Sequence, residues 1–150
     1  MGHTYTNLLT HIIFSTKDRL PYLHSERRQD VFAYMGGVIR ELKGSALNVN
    51  GADDHVHLLV CLPASLAVAK GVEIVKTNSS RWIHESRVLH GSFAWQAGYS
   101  AFSVSESQVE HVSRYITNQQ DHHRKITFRE ELIAFLERSH IQYNERYIWR

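Results

Sequence analysis

A chain of 150 residues, 43% hydrophobic and with two prolines, carries enough apolar side chain for one core and little room for linkers. Disorder, collagen repeats and disulfide scaffolds are excluded, the last because Cys61 is the only cysteine, which fits a reducing compartment. A formal charge of +2 does not by itself mark a nucleic-acid binder, and the unusual count is eleven histidines.

The longest apolar runs, such as residues 56–62, fall far short of the roughly 20 needed to cross a bilayer. The first residues lack the basic stretch and apolar run of a secretory signal. A single cytoplasmic domain over residues 1–150 with no membrane contact is expected.

Residues 8–15 read as a strand, closed by a turn at Lys17-Asp18-Arg19. Ser25 is a candidate N-cap for a helix, with Val31, Tyr34, Met35, Val38, Ile39 and Leu42 at helical spacing and Gly44 as its stop. A short strand at 47–50, a turn at 51–54 and a strand at 55–62 follow, the last stopped by Pro63. Ser65 to about His84 reads as a second helix, and residues 93–104 hold a further strand. Ser105-Glu106-Ser107-Gln108 fits a capping box opening a helix that runs past Gln119, and Thr127-Phe128-Arg129-Glu130 fits another. An extended piece with Ile141, Tyr143, Tyr147 and Trp149 ends the chain. The order β-α-β-β-α-β followed by helices predicts an α+β, ferredoxin-like core with an antiparallel sheet.

His55-Val56-His57 lies on a predicted strand, so the two imidazoles project to one face about 6–7 Å apart at Cα. That suits chelation of one divalent ion, with Asp54 placed to orient a histidine from behind. Two surface histidines are the plainer reading of that pair alone. Four protein ligands would be expected of a structural zinc site. Cys61 shares the strand face and reads as a small packing residue.

Tyr115 and Gln119 stand four residues apart on the next predicted helix, on one face, where a phenol and a carboxamide can reach the same ion or substrate. Most helical tyrosines only pack. A phenol near pKa 10 needs help to act as a nucleophile, but a phosphotyrosine link can be reversed by attack of a DNA hydroxyl.

Three segments together resemble a known family. Residues 54–60 (Asp-His-Val-His-Leu-Leu-Val) resemble the His-hydrophobic-His motif of HUH nucleases. Residues 93–105 and 115–119 resemble the strand and catalytic helix of one branch, the small single-tyrosine transposases of bacterial and archaeal insertion sequences. The resemblance implies a ferredoxin-like core with a C-terminal nucleophile-bearing helix and a further helix. It makes Tyr115 the nucleophile, and His55, His57 and Gln119 the ligands of a magnesium or manganese ion. It further implies cleavage and rejoining of single-stranded DNA at hairpin-marked element ends through a 5′-phosphotyrosine intermediate. The same likeness implies a homodimer, in many members with sites shared between subunits.

Imidazole favours manganese, zinc, nickel or cobalt over magnesium, so the ion bound in vitro can differ from the working one. Lys76, Arg81, Arg124 and Lys125 are candidate DNA contacts; each taken singly reads as a solvated charge. Trp95 and Tyr99 offer stacking surfaces, with core packing favoured for Trp95. His122 is seven residues after Tyr115 and reads as a solvated helix end. The rival readings are a non-catalytic hairpin-DNA-binding or regulatory relative and a metal-dependent hydrolase that activates water. Intact His55, His57, Tyr115 and Gln119 argue against the first.

Overall fold

The computed structural model describes residues 2–149. Its elements are β1 (Leu8–Ser15), α1 (Arg28–Glu41), β2 (Ser45–Gly51), β3 (His55–Leu62), α2 (Val68–Ser86), β4 (Ser100–Ser103), α3 (Val109–Thr117), α4 (Gln119–His122) and α5 (Phe128–Arg138). The four strands form one sheet in the order β2-β3-β1-β4 with every pair antiparallel, the arrangement expected of the βαββαβ order.

Alternation along the central strands sorts the two faces. Ile12, Phe14, Val56, Leu58 and Val60 point to one side and pack with Phe32 and Met35 of α1 and Val72 and Val75 of α2. Trp95 lies edge-on to Phe14 and donates from Nε1 to Ser79 Oγ at 2.9 Å, so it is a core residue. The other face presents His11 and Ile13 of β1 and His55 and His57 of β3, and Ile13 is covered by Phe128, Leu132 and Leu136 of α5. Helices therefore blanket both faces of the sheet, and the histidine face is buried.

Some expected boundaries move, each for a local reason. Ser25 does not cap α1. Arg27 and Arg28 both donate backbone N–H groups to the His24 carbonyl, so the chain makes a tight turn before the helix starts. The second helix starts at Val68 because Leu66 N–H turns back to the Pro63 carbonyl. The strand expected over 93–104 shrinks to four residues. Lys76 Nζ donates to the carbonyls of Gln96, Ala97 and Gly98, which takes that backbone off the ladder and leaves Trp95 as an isolated bridge to Thr16. Ser105 caps nothing: its hydroxyl pairs with Ser107, and a 3-10 turn over Glu106–Gln108 precedes α3. The helix expected to run past Gln119 breaks at Asn118, and α4 follows as a separate turn. At the second candidate box Thr127 does cap α5, its Oγ1 accepting from the Glu130 N–H at 3.2 Å, while the Glu130 carboxylate accepts from the Thr127 hydroxyl at 3.1 Å. The C-terminal piece forms no strand among the described residues. Its Tyr143, Ile148 and Trp149 pack against the α5 cluster instead.

The β2–β3 connection needs glycine at Gly51, where an added Cβ would stand on the His55 carbonyl oxygen. That close approach sets where His55 enters the sheet.

Candidate active site

Three imidazoles converge on one point from anchored positions. His55 donates from Nδ1 to Asp54 Oδ1 at 2.7 Å, the orienting role that the sequence suggested for Asp54. His57 Nδ1 meets His11 Nε2 at 2.8 Å. His123, just past α4, donates from Nδ1 to the Ile126 carbonyl at 3.0 Å. Their Nε2 atoms all face Glu131 Oε1, at 3.5 Å from His55, 3.0 Å from His57 and 3.2 Å from His123. Gln119 Oε1 lies 2.9 Å from both His55 Nε2 and His123 Nε2, while its Nε2 donates to Glu131 Oε2 at 3.0 Å. One ligand atom each from His55, His57, His123 and Glu131 lies within 4.8 Å of the others. His55, His57 and Gln119 are fully buried. The ring of Phe128 stacks on His55 with centroids 4.0 Å apart and walls off that side.

The helix that carries Tyr115 is pinned to the polar row of β2. Asn48 Nδ2 donates to the Ser113 carbonyl at 2.9 Å, and Asn50 Nδ2 to those of Ile116 and Thr117 at 2.9 and 3.1 Å. Gln120 closes the arrangement by donating from Nε2 to Asn50 Oδ1 at 3.0 Å. The Asn50 bonds reach two of the last carbonyls of α3, which have no i+4 partner within the helix. Tyr115 is thereby set beside His57, ring centroids 5.9 Å apart. Its hydroxyl donates to Glu131 Oε2 and lies 3.2 Å from His122 Nε2.

The electrostatics follow from burial around a single carboxylate. Burial alone would raise the Glu131 carboxyl. Hydrogen bonds from His123 and His57 override it and hold the group well below the usual carboxylate range. Burial lowers His57 to about 4, only partly opposed by Glu131, and lowers His11 to about 3. His123 shifts upward despite its burial, because Glu131 accepts from it. Burial and then the Glu131 charge push the Tyr115 phenol well above its ordinary value. The phenol is therefore positioned but protonated in this arrangement. It becomes a nucleophile only when positive charge offsets the carboxylate or its proton is taken.

The sequence-derived residues His55, His57, Tyr115 and Gln119 all meet within one chain. His122, read from sequence as a solvated helix end, instead touches the Tyr115 hydroxyl and stands 3.2 Å from Glu131 Oε2. Glu131, His123 and His11 were missed. Glu131 had a signal: it sits in the 128, 131, 132, 136 stripe of α5, an acid on an otherwise apolar buried face. Of the DNA candidates, Lys76 is engaged by the three carbonyls described above. Arg81, on the α1–α2 side of the sheet, donates to Asn78 Oδ1 at 3.1 Å. Arg124 and Lys125 are exposed next to His123. A cleft of about 590 Å³ beside the site is lined by Arg19, Arg28, Asp54, His123, Arg124 and Phe128. A smaller one, about 260 Å³, opens on Tyr115 and includes His11, His111, Phe135 and Arg138.

Residues 4–119 match the family model for IS200-like transposases. The transposase for insertion sequence element IS200 of Salmonella typhimurium is 26% identical over 129 residues, spanning 79% of this chain and 81% of that protein, and the Salmonella typhi transposase gives the same figures. A crystal structure from Deinococcus radiodurans R1, described as that of a transposase, superposes with a TM-score of 0.62 at 23% identity, covering 79% of this chain and 96% of the other. The REP-associated tyrosine transposase bound to a REP hairpin superposes with a TM-score of 0.61 at 14% identity, covering 84% of this chain and 74% of that one. Both structures share the α+β fold. With the His-x-His strand, the tyrosine helix and most of its length matched, the chain belongs to the IS200-like transposase family.

Proposed function

We propose that this chain cleaves and rejoins single-stranded DNA at hairpin-marked ends of an insertion sequence, with Tyr115 as the attacking group. The observation that carries the proposal is the contact set around the phenol. Tyr115 lies beside the His55–His57 pair, with its hydroxyl held by Glu131 and its helix tethered to β2. That is a positioned nucleophile next to metal-ligating side chains. The family match and the hairpin-bound structural relative support the choice of substrate.

In the proposed reaction Tyr115 Oη gives up its proton and bonds to the scissile phosphorus. The bond from phosphorus to the 3′ oxygen breaks, and that oxygen leaves as a 3′-OH after taking a proton. The downstream fragment stays on Tyr115 through its 5′ phosphate, as a phosphodiester. Attack by another 3′-OH reverses the step with no net change in bond type. His55, His57 and Gln119 would hold a divalent ion, magnesium or manganese. Their donor atoms fit one: the imidazole Nε2 atoms and Gln119 Oε1 face a common point, and the histidines are oriented from behind. When bound, such an ion polarises the phosphate and offsets developing negative charge. The remaining work belongs to the chain. Asn48 and Asn50 fix the helix, and Phe128 keeps water from His55. Arg124 at one cleft and Arg138 at the other offer positive charge for the strand to approach, with Lys125 exposed beside Arg124.

The proposed homodimer, acting in the cytoplasm, would bring two such sites to two element ends. Among the described residues no helix is long and apolar enough to cross a membrane.

The test uses oligonucleotides carrying the hairpins that flank the chain's own coding sequence, single-stranded and duplex, with manganese. Cleavage of the single strand only, abolished in Tyr115→Phe, is the expected result. Undiminished cleavage by Tyr115→Phe would favour a water-activating hydrolase. Hairpin binding without cleavage would favour the non-catalytic alternative.

A further inference from the structure

The donor set around Glu131 presents a problem of lone pairs. His55 and His123 spend their Nδ1 protons on groups that can only accept, the Asp54 carboxylate and the Ile126 carbonyl. His57 Nδ1 meets His11 Nε2 at 2.8 Å, a nitrogen that can accept its proton or donate one. When neutral, His55 and His123 turn a bare Nε2 lone pair toward the centre, and His57 does the same when His11 accepts from its Nδ1. The oxygens they meet there, Gln119 Oε1 and Glu131 Oε1, also carry only lone pairs. Three ring nitrogens and two oxygens thus crowd one buried volume, and without an ion only a proton on a ring Nε2 can separate them. Protonating the rings instead puts like charges side by side, with the His55 and His123 centroids 4.4 Å apart. A divalent cation resolves the whole set at once.

We infer that the metal site of this chain takes four side-chain ligands, His55, His57, His123 and Glu131, with the Gln119 oxygen beside them, so that the ion ties α5 to the sheet. This rests on the metal-dependent reading above and extends it. His123 and Glu131 lie beyond residues 4–119, the part that matches the family, so this half of the ligand set belongs to the segment that follows the family core. Each histidine has the rear hydrogen bond that fixes ligand orientation. Three imidazoles with one carboxylate are a set for manganese, zinc, cobalt or nickel, whereas magnesium prefers oxygen ligands and retained water.

The site links two mechanical units. His55 and His57 stand on a central strand, while Glu131 rides on a helix held otherwise by Phe128, Leu132 and Leu136. Glu131 is bidirectional: Oε1 faces the imidazoles and Oε2 accepts from Tyr115 and Gln119. An ion drawing on Oε1 would therefore fix α5 and the nucleophile together.

The test is manganese titration of the full chain by calorimetry, with hydrogen exchange over residues 128–138 as a second readout and without DNA. Wild type is expected to bind one ion per chain and to slow exchange across α5 when it does. Glu131→Gln and His123→Ala should each weaken manganese binding about ten-fold or more and abolish that protection, while remaining folded without metal at the assay temperature. Pulsed electron paramagnetic resonance should show three imidazole nitrogens in wild type and two in His123→Ala. If Glu131→Gln does not fold, His123→Ala, at the more open edge of the site, carries the test alone. Unchanged affinity in both variants with binding lost in His57→Ala would overturn the four-ligand set and leave the proposed function standing. No manganese binding by wild type would defeat both. An intact four-ligand site in a chain that forms no DNA adduct would defeat only the proposed function.

Discussion

Asn50 is the place where a change far from the reacting atoms should most clearly alter them. Its side-chain N–H donates to two carbonyls at the end of α3, at 2.9 and 3.1 Å, and its oxygen accepts from Gln120 at 3.0 Å. It is 9% exposed, so water cannot replace those partners freely. Asn50→Asp keeps size and shape, removes the donor and sets a carboxylate against two carbonyl oxygens. Losing two hydrogen bonds at about 1 kcal/mol each, and leaving buried acceptors unpaired, gives a cost of about 2–3 kcal/mol. For a chain of this length, each kcal/mol shifts Tm by about 2–4 °C, so a fall of about 5–10 °C is expected. The larger effect falls on Tyr115, one residue before the first of those carbonyls. A displacement of about 1 Å at a reacting group can cost about a hundred-fold in rate. Single-turnover formation of the protein–DNA adduct, measured at a temperature where the variant is fully folded, should slow by about ten- to a hundred-fold. Asn50→Ala should fall between the variant and wild type, since it removes the bonds without adding the charge. A wild-type adduct rate in Asn50→Asp would refute the positioning role, whatever its Tm.

Further outcomes follow from the same contacts. Gly51→Ala should destabilise the chain by about 1–3 kcal/mol, read from denaturant melts, because its Cβ meets the His55 carbonyl and the backbone must give. Lys76→Met should lower Tm and speed hydrogen exchange over residues 96–103 through loss of three carbonyl contacts, with hairpin affinity nearly unchanged because that ammonium already has partners. His11 and His57 titrate below an unfolded histidine, near 3 and 4 against 6.5, so between those values the unfolded chain binds more protons. Stability of the metal-free chain should therefore fall as pH drops below about 6.5, with His123, shifted upward, opposing part of the loss. A metal-free melting temperature that rises on acidification from pH 6.5 to 4.5 would contradict that assignment.

The parts of the molecule legible in its sequence are those governed by local periodicity. Alternation placed His55 and His57 on one face of a strand with Val56 in the opposite layer, and a spacing of four brought Tyr115 and Gln119 to one side. The structure keeps both pairings although the helix breaks at Asn118. The βαββαβ order was legible for the same reason. Glu131 and His123 were not, because what makes them part of the site is the docking of α5 across the sheet, a contact between residues 74 positions apart in the case of His57 and Glu131. The loss of most of the strand expected over 93–104 is likewise tertiary, since Lys76 on a distant helix captures its carbonyls. His11 looked like one polar residue in an apolar strand until the fold set it behind His57. With His122 and His123, it accounts for three of the histidines left without a role by the motif alone.

The central claim is that Tyr115 itself becomes joined to DNA. The most direct measurement is mass spectrometry of the chain after reaction with single-stranded hairpin substrate and manganese, followed by protease and nuclease digestion. The expected product is the peptide containing Tyr115 carrying a 5′-linked nucleotide, with an equivalent amount of free 3′-OH on the released strand and neither in Tyr115→Phe. Cleaved DNA with a free 5′-phosphate and an unmodified Tyr115 peptide would contradict it.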